Sequence, residues 1–179
     1  MIATLPVTET PADSIPTKDL GFGLHFADRM FTQRYSREKG WHAATIGPYA
    51  PITLDPAAQV LHNGQMIFDG TKAYRRPDGH INLFRPERNA QRFNRSAARM
   101  GMPEVPEGPH VEAIRELVRL EARWVPHAPQ TALYIRPVMI ATEKALSIRA
   151  PAEYLHYIIL SPVAPYFAGG FAPIAVHVP

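Results

Sequence analysis

The chain contains no cysteine. That excludes a disulfide framework, a thiolate metal site and a cysteine nucleophile. It is compatible with a reducing cytoplasm, the location expected for the protein. No apolar run reaches the roughly 18 residues that a membrane-spanning helix needs, so no membrane span is expected. The first twenty residues, MIATLPVTETPADSIPTKDL, lack the basic-then-apolar order of a secretory signal. H-E-x-x-H spacing, a glycine-rich phosphate loop and a G-x-S-x-G elbow are all missing from the sequence. The histidines are scattered, and Gly169-Gly170 is most simply a turn. The arginines lack the interleaved aromatics of a nucleic-acid platform. The net charge of +3 therefore reads as a mildly basic solvated surface, with no nucleic-acid partner expected.

What is present is a globular composition, with 46% hydrophobic and 20% charged residues over 179 positions. That length suits one domain, or one domain with arms, and is enough to bury a core. Residues 1–20, rich in Thr, Pro and Asp, read as a flexible arm. Asp55-Pro56 reads as a helix start, with Ala57, Val60 and Leu61 turned inward and a stop near Gly64. Pro77-Asp78-Gly79 between Gln65–Arg76 and His80–Phe84 is a hairpin signal. Pro86 opens a helix with the stripe Ala90, Phe93, Ala97 and Met100, closed by Gly101 and Pro103. His110–Val125 is the clearest amphipathic helix. Thr131–Ile140 and Tyr154–Val163 read as buried strands. Hairpins, then helices, then further strands predict an α+β domain with a largely antiparallel sheet.

The chemistry lies in arginines set in apolar stretches: Arg85 and Arg92 within 61–96, and Arg136 within LYIRPVMIATE. A buried guanidinium requires an anion, because an unpaired buried charge is costly. Arg92 directly precedes Phe93 of the apolar stripe and could hold a phosphate or carboxylate through two parallel hydrogen bonds. A surface arginine beside Arg88, Arg95 and Arg99 is the simpler reading. Strand alternation puts Tyr134 and Arg136 on one face, a good carboxylate grip. A structural Arg–Asp or Arg–Glu pair is the competing reading. No nucleophile or acid–base pair stands out.

These segments also carry a resemblance. LHNGQMIFDGTKAYRRPDG, LFRPERNAQRFNRSA, WVP, LYIRPVMIATE and SPVAPYFAGG occur in the order of the landmarks of branched-chain amino-acid aminotransferases. Those are class IV, fold-type IV enzymes using pyridoxal 5'-phosphate. The upstream FGLHF, DRMF, GW, PY and LDPAA series resembles the family as well. The resemblance implies the small amino-terminal domain at 21–165, with 166–179 as interdomain linker and start of a large domain. By the same resemblance Arg92 matches the cofactor-phosphate arginine, and Tyr134 a tyrosine at the substrate α-carboxylate. Arg136 matches the arginine meeting the side-chain carboxylate of glutamate. Phe68 and Gly70 match an apolar pocket element, and Tyr166 a pocket tyrosine on the interdomain loop. Leu146 and Ile148 match a loop reaching the partner subunit's site, so a homodimer is implied. Asn63 stands where the family has tyrosine and Asp69 where it has glutamate, while Ser147 and Pro165 replace small loop residues.

The implied activity is amino-group exchange between leucine, isoleucine or valine and 2-oxoglutarate. Its partners are small amino acids and 2-oxo acids, in branched-chain amino-acid biosynthesis. The lysines at 18, 39, 72 and 144 lie in no block resembling the Schiff-base lysine. The chain is therefore expected to hold no catalytic residue and to be inactive alone. Two other readings compete. One is a non-enzymatic ligand-binding or oligomerisation domain retaining the fold. The other is a different class IV aminotransferase or lyase.

Overall fold

The computed structural model describes residues 1–165, 173 and 175–177. Tyr166 and most of the expected linker lie outside the described residues. Among the described residues the strands are β1 (Ala3–Thr4), β2 (Arg29–Ser36), β3 (Gly40–Pro48), β4 (Met66–Phe68), β5 (Thr71–Arg75), β6 (Ile81–Leu83), β7 (Ala132–Ala141) and β8 (Glu153–Val163). The helices are α1 (Gln59–Asn63), α2 (Pro86–Arg99) and α3 (Glu107–Leu120). They form one sheet in the order β1-β3-β2-β8-β7-β5-β6, with β4 also on β7. Only β1 on β3 runs parallel among these pairs, so the sheet is mixed but largely antiparallel, as expected of an α+β domain.

Alternation along the central strands sorts the two faces. Leu133, Ile135 and Met139 of β7, with Ile158 and Leu160 of β8, pack beneath α2 and α3. From α3 come Ile114, Leu117 and Val118, and from α2 come Phe93 and Ala97. The opposite face carries Tyr134, Arg136, Val138 and Ile140, and only part of it is covered, by Leu54 and Val60 near α1. One face is therefore an oily core, and the other is only partly covered among the described residues.

The hairpin at Pro77-Asp78-Gly79 joins β5 to β6, closed by Arg76 N–H to the His80 carbonyl at 2.8 Å, with Gly79 at φ 85°. Three expectations shift. The helix expected from Asp55 starts later, at Gln59, because the Asp55 carboxylate caps a tight turn at Ala57 instead. Its phase changes accordingly: Gln59 is buried and Leu61 faces solvent. The helix expected to reach Val125 stops at Leu120, and a 3-10 turn at Ala122–Trp124 carries Val125 into the core. The segment expected as a flexible arm lies on the sheet. Ala3 and Thr4 pair with Thr45 and Ile46, Leu20 is buried, and Thr10 hydrogen-bonds the Asp28 carboxylate. Arg123 ties the same corner through the Thr10 carbonyl and Asp28.

Candidate functional site

The site is built where β4 and β5 meet β7. Both strands pair with β7 in one continuous register, Phe68 opposite Val138 and Thr71 opposite Ile135. The ladder breaks between them because of Pro137. Asp69 N–H donates to the Pro137 carbonyl at 3.0 Å, but proline has no N–H to return. The pleat then sends Phe68 and Gly70 to the face of Tyr134 and Arg136, and Ile67 and Asp69 toward α2.

On the open face, Arg136 Nε donates to the Tyr134 hydroxyl at 3.0 Å. The guanidinium lies 4.4 Å above the Phe68 ring centroid and 5.1 Å from that of Tyr134. Tyr134 in turn packs on Phe22, with ring centroids 5.0 Å apart. Gly70 is required beneath it: a Cβ there would sit 2.1 Å from the Tyr134 hydroxyl oxygen. Among the described residues no carboxylate pairs with Arg136. The structural-pair reading of Arg136 therefore fails in favour of an open, aromatic-braced cation. Tyr157 of β8 shares this face. Burial raises its hydroxyl pKa, and nearby Arg136 partly offsets that.

On the helix face the arrangement is different. Asp69 is 5% exposed and accepts from Arg92 Nε at 2.7 Å and Nη2 at 2.6 Å. The Gly70 N–H at 2.6 Å and Asn89 Nδ2 at 3.3 Å complete its ring of donors. Burial alone would raise this carboxyl; the bonds from Arg92, Gly70 and Asn89 outweigh it and hold the pKa below the ordinary range. Arg92 itself is not buried, its side chain being 56% exposed. It lies one residue off the apolar stripe of α2, so its stem runs along the helix flank and only one edge of the guanidinium meets the sheet. Arg85 is exposed too, as the left-handed residue before α2, and lines no buried anion pocket.

Comparison with known proteins reads this corner further. No family model matches the chain. A probable branched-chain-amino-acid aminotransferase of Streptomyces coelicolor is 50% identical over 159 residues, covering 88% of this chain and 44% of the relative. Branched-chain-amino-acid transaminase 1 of Bacillus subtilis is 48% identical, over 89% of this chain and 45% of its own. The Mycolicibacterium smegmatis branched-chain-amino-acid aminotransferase is 46% identical over 97% and 47%. The chain is homologous to the branched-chain aminotransferases. It spans slightly less than half the length of these relatives. Solved structures agree on the fold. The Escherichia coli enzyme superposes with a TM-score of 0.55 at 19% identity, over 76% of this chain and 40% of that one. The branched-chain aminotransferase of the thermophilic archaeon Thermoproteus uzoniensis, solved with norvaline, superposes at 0.53 and 18% identity, over 75% and 41%.

The remaining residues that the branched-chain aminotransferase resemblance singled out are scattered. Leu146 and Ile148 stand 68% and 95% exposed on the connection between β7 and β8. Ile148 borders a shallow hollow with Asn63, Gln65, Met100 and Gly101. Asp69 and Asn89 are the supporting residues that sequence reasoning gave no role. The available signal was spacing: Asn89 and Arg92 are three apart on one helix, and so share a face. The donor set fits a phosphate, since Nη1 of Arg92 has no partner among the described residues while Nε and Nη2 are held.

Proposed function

We propose that this chain is the small, binding domain of a pyridoxal-phosphate-dependent branched-chain aminotransferase, acting in branched-chain amino-acid biosynthesis as a cytoplasmic homodimer. The observation that carries the reading is the Tyr134–Arg136–Phe68 cluster. An amino donor of this class must be accepted with either an apolar or a carboxylate side chain. Phe68 offers an apolar wall, and Arg136, resting on that wall, offers a charge without a counterion among the described residues. A leucine, isoleucine or valine side chain would contact the ring, and a glutamate side chain would meet the guanidinium. Tyr134 would orient Arg136 through its hydroxyl and lie at the substrate α-carboxylate. Arg92 would hold the cofactor phosphate by its outer edge. When bound, the cofactor supplies an electron sink at the substrate Cα. In this reading the chain's residues bind and orient the substrate and cofactor phosphate. Tyr166, Leu146 and Ile148 belong to the pocket rim in this reading, the last two reaching the partner's site. The domain boundaries at 21–165 and 166–179 go with it.

The test is Arg136→Met in the full-length protein. It should lower kcat/KM for glutamate by roughly 10- to 100-fold while leucine stays within about threefold, since only one substrate uses the charge. Equal losses for both substrates would contradict the assignment.

A further inference from the structure

Resting on the reading of Arg92 as the phosphate arginine, we propose that Asp69 is its positioning residue. Asp69 clamps the inner edge of the guanidinium, so that the outer edge is presented in a fixed orientation to the anion. Arginine has five N–H donors in a planar fork. Asp69 occupies Nε at 2.7 Å and one Nη2 hydrogen at 2.6 Å, a two-point grip that fixes the plane of the fork. Nη2 also reaches the Gly70 carbonyl at 3.3 Å. Nη1, which has no hydrogen-bond partner among the described residues, remains for a ligand.

Three features argue against a pair that merely ties α2 to the sheet. First, that tie is already made by Asn89 to the Gly70 carbonyl. Second, Asp69 is nearly buried while the Arg92 side chain is half exposed, so the clamp is rigid on the protein side and open on the other. Third, Asp69 and Gly70 are adjacent. The backbone step that aims the Asp69 carboxylate at Arg92 also leaves room for the Tyr134 hydroxyl above Gly70. The Asp69 position thus couples the phosphate end of the site to the Tyr134–Arg136 end. His110 of α3 also faces Asp69 and is held neutral by burial, so it offers no competing cation.

The test uses the full-length protein, with pyridoxal phosphate and pyridoxal as paired probes. Asp69→Asn keeps the size but turns an amide donor toward Arg92. It should weaken pyridoxal phosphate binding by roughly 10- to 100-fold, the loss seen when a residue supporting a metal ligand is removed, and leave pyridoxal binding nearly unchanged. Asp69→Glu, which keeps both acceptors, should recover most of the difference. Equal weakening of both probes would show a structural role and overturn the proposal. Arg92→Gln separates the two layers: if it leaves the ratio of the two affinities unchanged, the phosphate reading itself is wrong. Should Asp69→Asn fail to fold, nitrogen-15 spectra of the unsubstituted protein decide. On titration with inorganic phosphate the Arg92 Nη signals should shift while the exchange-protected Nε–H stays. Loss of Nε–H protection would mean that the anion displaces Asp69, and would also overturn the proposal.

Discussion

Gly70 lies opposite Arg136 in the register of β4, β5 and β7, with the Tyr134 hydroxyl above it. Adding one methyl would put a carbon 2.1 Å from that hydroxyl and 2.7 Å from Cζ of the ring. The whole ring must therefore move, and its bond to Arg136 Nε is lost. Gly70→Ala is expected to cost about 1–3 kcal/mol in unfolding free energy, as overpacking does. It should weaken binding of any carboxylate ligand at Arg136 more than it weakens the fold. Urea unfolding beside a ligand titration checks this, and a variant with unchanged affinity would show that Tyr134 does not set Arg136. The types of Tyr134 and Arg136 and their shared face were legible from strand alternation alone. The partner of Arg92 was not. Asp69 is 23 residues away in sequence, and its exposure depends on which way the pleat turns at Pro137.

At the level of elements, α2 shows how a polar residue closes a join. Asn94 is buried among apolar neighbours. Its amide donates to the Val105 carbonyl at 2.7 Å and accepts from the Val105 N–H at 2.9 Å. These two bonds hold the chain between α2 and α3 against the helix. Asn94→Ala leaves a buried donor and a buried acceptor without partners and should cost roughly 2–4 kcal/mol. Thermal unfolding would register this as a large drop in Tm, and a change within experimental error would mean that water replaces both bonds. The periodicity of α2 and α3 was readable because a 3.6-residue stripe is a local property. The start of α1 was misplaced because Asp55 caps a turn rather than the helix. A capping residue looks the same in sequence whether one turn or several follow it.

Across the whole molecule, two histidines are locked in the core. His110 of α3 and His156 of β8 stack with ring centroids 5.1 Å apart, beside Phe93 and Phe31. Gln33 reaches His156 Nδ1 at 3.0 Å. Burial lowers the pKa of His110 to about 4 and that of His156 well below its ordinary value. Both rings are neutral in the fold and bind protons more readily when the chain unfolds. Stability is therefore fully present above pH of about 6.5 and falls as pH drops toward 4, with His110 alone contributing a loss on the order of 3 kcal/mol. Asp69 acts in a lower window. Its depressed pKa stabilises the fold above the ordinary carboxylate range, and that contribution is lost only as pH falls below it. Urea midpoints measured from about pH 7 to about pH 4.5 should fall steadily, and a flat profile would show that the two rings are solvated.

The sequence alone determined the hairpin at Pro77-Asp78-Gly79, the α2 stripe at Ala90, Phe93 and Ala97 but not at the exposed Met100, the apolar face of α3, and the shared face of Tyr134 and Arg136. Each of these rests on spacing along the chain. The tertiary structure decided which charges are satisfied from within. Arg92 is clamped by Asp69 and Arg136 is left to aromatic rings, because a guanidinium's partner is set by which distant strand edge it meets.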